Sequence, residues 1–149
     1  MKLFFGLLVL ALVSNECKQT SQKSNLSQEG LIITYEASAR RFYEKTWITK
    51  DSISYSTDRS LKEIAVSKCN NEDWDELVTL LNAVSIKTLP QLEPPSSRNQ
   101  VDAAAMATLT VEINNESYKT KVFDHGNPPK DISELVNKVL SMKEMMTKQ

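Results

Sequence analysis

From Val101 to Ile113 no odd position holds a polar residue: Val101, Ala103, Ala105, Ala107, Leu109, Val111 and Ile113 are all apolar. Thr108, Thr110 and Glu112 hold even positions. Period-two alternation marks a strand with one face buried. Asn114-Asn115 follows, and asparagine accepts the positive φ of a two-residue hairpin turn. A hairpin closed there pairs Val111 with Tyr118, Leu109 with Thr120 and Ala107 with Val122 on the apolar face. The same register sets Thr110 against Lys119 and Thr108 against Lys121 on the polar face. Leu109, Val111, Tyr118 and Val122 are therefore expected in the core. The alanines at 103, 105 and 107 would leave room for a helix to lie close.

The preceding residues read as a meander. Leu31–Tyr35 is β-rich, Ala39-Arg40-Arg41 is a bend, and residues 42–49 form a second strand. Tyr43 and Trp47 share one face of it with Lys45 between them, and Phe42, Thr46 and Ile48 share the other. The aromatic face is expected to pack into the core, with an exposed recognition surface as the alternative. A turn at Lys50-Asp51 sets Ile48 opposite Ile53 and Thr46 opposite Tyr55. Asp58-Arg59-Ser60 turns again into a short strand through Ile64 and Val66.

The period then changes. Trp74, Leu77, Val78, Leu81 and Val84 recur at helical spacing behind a cap at Asn70 or Asn71. Residues 86–100, with Pro90, Pro94 and Pro95, show no regular pattern. A last helix enters through Asn127-Pro128-Pro129, with Asp131 and Glu134 spaced as a capping box. Its apolar stripe is Ile132, Leu135, Val136, Val139 and Leu140. The expected class is α+β: antiparallel meander, helix, β-hairpin and C-terminal helix, with two helices packed on one sheet face.

Residues 1–16 read as a signal peptide. Lys2 is a minimal positive region, and Leu3–Val13 is apolar throughout apart from Gly6. As a helix that run rises about 16 Å, short of a hydrocarbon core of about 30 Å. Cys17 comes next, then the polar stretch to Glu29, a flexible tether. Residues 30–149 form the single α+β domain. The order of signal, cysteine and polar tether resembles a bacterial lipoprotein. That resemblance implies lipid attachment at Cys17 and anchoring to a membrane of the cell envelope. Ser14, Asn15 and Glu16 depart from the usual lipobox, so soluble export with Cys17 as a plain thiol is the alternative.

The composition narrows the chemistry. The formal charge is −1, with no basic excess to suggest nucleic acid, and three glycines supply no phosphate-cradling loop. His125 is the only histidine. It lies in Asp124-His125-Gly126-Asn127, and Asp124 with Asp102 could join it as metal ligands. A turn in which Asp124 and Asn127 bond the backbone and Gly126 takes positive φ accounts for the same residues. Cys69 is expected to be a buried structural thiol rather than a nucleophile served by His125. No catalytic set is complete, and no metal or cofactor is expected.

Leu80-Leu81, Leu89-Pro90, Asp102, Leu109, Val111, Val122, Pro129, Leu135 and Leu140 follow a hairpin, helix, loop, hairpin, helix order. The order is similar to that of the emfourin-type inhibitors of thermolysin-like metalloproteases. The resemblance implies this architecture and a protease inhibitor, with no inhibitory residues carried over; an exposed, rigid loop near 38–42 or 91–102 would favour that function. Emfourins carry Gly-Gly-Phe in the first hairpin, where this chain has Arg40-Arg41-Phe42. With no complete catalytic set in so small a domain, the leading expectation is a non-catalytic binding or interaction module at the cell envelope with a protein partner. Arg40, Arg41, Asp102, Asp124 and His125 are the candidate binding residues. A metalloprotease inhibitor, or a small hydrolase or metal-binding protein using the Asp124-His125 turn, are the alternatives.

Overall fold

A computed structural model describes residues 29–101 and 103–148 of the chain. The signal segment, Cys17, nearly all of the tether and Asp102 lie outside the described residues. The architecture is α+β. Strands β1 (Ile32–Ala39), β2 (Phe42–Ile48), β3 (Ser52–Ser56) and β4 (Ala65–Lys68) form the meander. Helix α1 (Asn71–Ala83) follows, then β5 (Met106–Ile113), β6 (Glu116–Lys119), β7 (Phe123–Asp124) and helix α2 (Ser133–Thr147). The strands form one antiparallel sheet in the order β4-β3-β2-β1-β5-β6, with β7 also paired to β5.

The expected registers of the first meander hold: Ile48 faces Ile53 and Thr46 faces Tyr55. Ile64, however, precedes the fourth strand, which starts at Ala65. The even residues of β2 and the odd residues of β1 and β5 share the inner face, where Ile33, Tyr35, Thr46, Ile48, Leu109 and Val111 are buried. Helix α2 lies on this face, since Lys143 reaches Glu44 of β2. Trp74, Leu77, Val78 and Leu81 of α1 complete the same core.

The aromatic face of β2 is not in that core. Tyr43, Lys45 and Trp47 are half-buried on the opposite, outer face, beside Glu36 and Ser38. What makes this arrangement tolerable is cationic cover: Lys45 Nζ lies 5.6 Å from the Trp47 ring centre and the Arg59 guanidinium 5.1 Å from that of Tyr43.

Helix α1 begins as expected. The Asn70 side chain accepts the Asp73 amide hydrogen at 2.7 Å. The Asp131–Glu134 capping box does not form. After Pro129 the chain makes a 3-10 turn over Lys130–Ile132, so Asp131 sits in that turn and Ile132 takes the cap position. Two further 3-10 segments, Ile86–Gln91 and Arg98–Val101, order parts of the stretch expected to be irregular. The first buries Ile86 and Leu89.

Asn114 and Asn115 have φ of 51° and 63°, and close the β5–β6 hairpin as expected, with Val111 opposite Tyr118 and Thr110 opposite Lys119. Beyond Thr120 the register changes. Ala107 pairs with Phe123 rather than Val122, and Met106 pairs with Asp124. One extra residue has been accommodated, a bulge, with the Thr120 hydroxyl accepting the Leu109 amide hydrogen at 3.1 Å. Phe123 is fully buried and Val122 is 43% exposed, which reverses the expectation for Val122. Strand β5 begins only at Met106, so Ala103 and Ala105 lie ahead of it and line no helix seat.

Candidate functional site

The bulge decides which residues reach which side. With one extra position in the strand, Phe123 points inward, Asp124 goes to the other side with Met106, and His125 returns to the inner side. The His125 amide donates to Ala105 O at 2.8 Å, and Gly126 takes φ of 79°, the left-handed conformation expected of that glycine.

Asp124 is an anchor for the segment before β5. Its carboxylate accepts from the Ser96 hydroxyl, from the Arg98 amide at 3.0 Å, and from the Asn99 amide at 2.7 Å and side chain at 2.6 Å. The Ser96 bond, with the Asn99 and Arg98 donors behind it, holds the carboxyl near a pKa of about 2 against the opposing effect of burial. Asn127 adds a 2.7 Å bond from its side chain to Ser96 Oγ. The turn thus ties down the 96–99 segment rather than bonding only its own backbone.

A folded-state pKa below the unfolded value stabilises the protein above the unfolded pKa. That contribution is lost as pH falls from about 4 to about 2. Asp124→Asn should therefore lower the melting temperature at neutral pH and narrow its gap to wild type as pH falls through that window. Thermal melts across the window check this. The difference between the two proteins is the informative quantity, because hydrogen bonds from Ser60, Lys62 and Glu63 also hold Asp58 near 2.

His125 lies over buried polar side chains of the inner face. Its Nδ1 is 2.8 Å from the Tyr35 hydroxyl and 3.9 Å from Glu44 Oε1, and its ring centre is 5.4 Å from that of Phe42. Glu44 is 4% exposed and receives Lys143 Nζ at 2.9 Å on Oε2, while Oε1 has no hydrogen-bond partner. Burial, then the Glu44 charge, pushes the Tyr35 phenol far up, so it remains a proton donor. Glu44, Lys143 and Tyr35 were not among the residues expected at a site. The signal for Glu44 was its even position in β2, on the face of Thr46 and Ile48.

Among the described residues no group of three or more His, Cys, Asp or Glu side chains is placed to hold a metal ion. Cys69 is 2% exposed, and its thiol is pushed up mainly by burial. It lies by Asp51 at the end of the sheet opposite His125, as its amide donates to Asp51 O at 3.1 Å.

Arg40 and Arg41 form the tip between β1 and β2, both exposed, with Phe42 37% exposed beside them. Arg59, a residue not singled out by sequence, reaches the same tip. Its Nη2 donates to Ala39 O at 3.1 Å and to Phe42 O at 3.3 Å. The segment Ala103–Ala105 lies alongside. The structure thus gathers Arg40, Arg41 and His125 at one end of the sheet and turns Asp124 to a structural task. Asp102 lies outside the described residues. No protein-family model matches the chain, and no curated protein matches it.

Proposed function

We propose that this chain is an exported, lipid-anchored binding module of the cell envelope, without catalysis of its own, that recognises a protein partner through the Arg40 end of its sheet. The observation that carries the reading is the exposed tip of Arg40, Arg41 and Phe42 against the 103–105 segment. Exposed arginines and an aromatic ring are residue types that interfaces favour. The underlying loop is held rigid by the four donors on Asp124, which lowers the ordering cost of binding. A photo-cross-linker placed at Arg41 should trap a defined protein in native envelopes, while one at Lys50, at the far end of the sheet, should not. Equal trapping from both sites, or a turnover abolished by His125→Ala, overturns the reading.

The anchoring half has its own test. Intact mass of the native protein should show loss of residues 1–16 and a lipid on Cys17. A mature N-terminus at Asn15, or an unmodified Cys17, removes the anchor and leaves export. The inhibitor reading is favoured by one observation: the first-hairpin tip lies beside Asn99 and Ala103–Ala105, as an inserting surface would need. On that reading the protein slows a thermolysin-like protease stoichiometrically without being cleaved. A failure to inhibit any metalloprotease of the same cell at micromolar concentration ends it.

A further inference from the structure

We propose that the Arg40 tip receives an acidic peptide segment of the partner, its carboxylates held by Arg40, Arg41 and Arg59; this rests on the binding-module reading and names the partner's chemistry. Two cavities flank the tip. One, of about 380 Å³, lies between Arg40 and Arg59 with Ser38, Ala104 and Met106 in its walls. The other, of about 570 Å³, is bounded by Arg40, Arg41, Phe42 and the alanines 103–105. They share Ala39, Arg40 and Ala104, so Arg40 stands between them.

No guanidinium takes part in an ion pair among the described residues; each pair is made by a lysine or by His125. The neighbouring acids already accept hydrogen bonds, Asp58 from its own loop and Asp124 from the 96–99 segment. Arg59 is also pre-set. Two backbone carbonyls hold its Nη2, and the Tyr43 ring lies 5.1 Å from the guanidinium carbon. Its Nη1 and Nε hydrogens remain for a carboxylate, which guanidinium geometry suits.

The spacing favours a segment over a single ion. The arginines do not converge on one point but border two cavities, with Phe42, Met106 and three alanines between and beside them. Carboxylates separated along a peptide can meet arginines in turn, while the intervening apolar side chains meet Phe42 and Met106. A nucleic acid would need a longer basic stripe than a chain of net charge −1 provides here.

The test is fluorescence anisotropy on the full chain in a nonionic detergent. The probe is a fluorescein-labelled peptide alternating glutamate and leucine, with its glutamine counterpart as control. The glutamate peptide should bind, and the glutamine peptide should bind at least about tenfold more weakly. Arg40→Gln with Arg59→Gln should weaken the glutamate peptide by at least about tenfold, and added salt should weaken it further. Arg40→Gln alone, which removes no hydrogen bond of the fold, should weaken it several-fold and guards against a folding artefact. Equal binding of the two peptides, no binding, or binding indifferent to both variants overturns the proposal. So does tighter, arginine-dependent binding of a single-stranded oligonucleotide or of pyrophosphate. If Arg41 still cross-links a partner while the peptide fails, the acidic-segment proposal falls and the module reading stands.

Discussion

Val111→Asp should lower the unfolding free energy by about 3–5 kcal/mol, through an unpaired charge placed in the core. Val111 is fully buried on β5, paired with Ile33 of β1 on one side and Tyr118 of β6 on the other. Its neighbour Thr110 points to the outer face, opposite Thr34 and Lys119. Thr110→Asp should therefore cost less than about 1 kcal/mol, as Lys119 lies across the ladder to meet the new charge. Urea melts of both variants, with m-values unchanged, measure the contrast. Equal losses would mean that the two residues do not occupy opposite faces.

The second large effect is at the buried pair of β2 and α2. Lys143→Ala should destabilise the protein by about 3 kcal/mol or more, because it strands the Glu44 carboxylate. The side chains of Lys143 and Glu44 are 15% and 6% exposed, and Glu44 Oε1 already lacks a hydrogen-bond partner. His125 Nδ1 is 3.9 Å from that oxygen. Replacing both partners by Glu44→Leu with Lys143→Met should recover most of the loss, since an apolar pair of similar volume avoids the cost of desolvating two charges. A double-mutant cycle in denaturant makes the comparison. A double variant as unstable as Lys143→Ala would show that α2 depends on the lysine stem rather than on the ion pair.

The sequence carried the alternation on β5 and the asparagine turn clearly enough to place Tyr118 and Lys119 in register. It did not carry the bulge, because Val122 and Phe123 are both apolar and either could face inward. Parity fails where two adjacent residues suit the core equally, and packing then chooses the larger ring. Tyr43 and Trp47 misled in a different way. Their apolar area suggested burial, yet their strand gives the core Glu44, Thr46 and Ile48. Arg40 and Arg41 were visible as a charged bend. Arg59 was not, because its arrival at the same tip depends on how the β3–β4 loop folds back. Likewise the meeting of Glu44 with Lys143 depends on the rotation of α2, which the apolar stripe defines only coarsely.

The strand order has a consequence for when the protein can fold. Central β1 pairs on one side with β2, next in sequence, and on the other with β5, where Tyr35 meets Leu109. The meander can close through short hairpins, but its inner face stays open until β5 and then α2 are present. Pairings between such distant segments slow folding, since the intervening chain must be ordered before the contacts form. If the chain is exported as proposed, that delay keeps the early hairpins, which alone cannot bury a core, from closing the fold before the last helix is present.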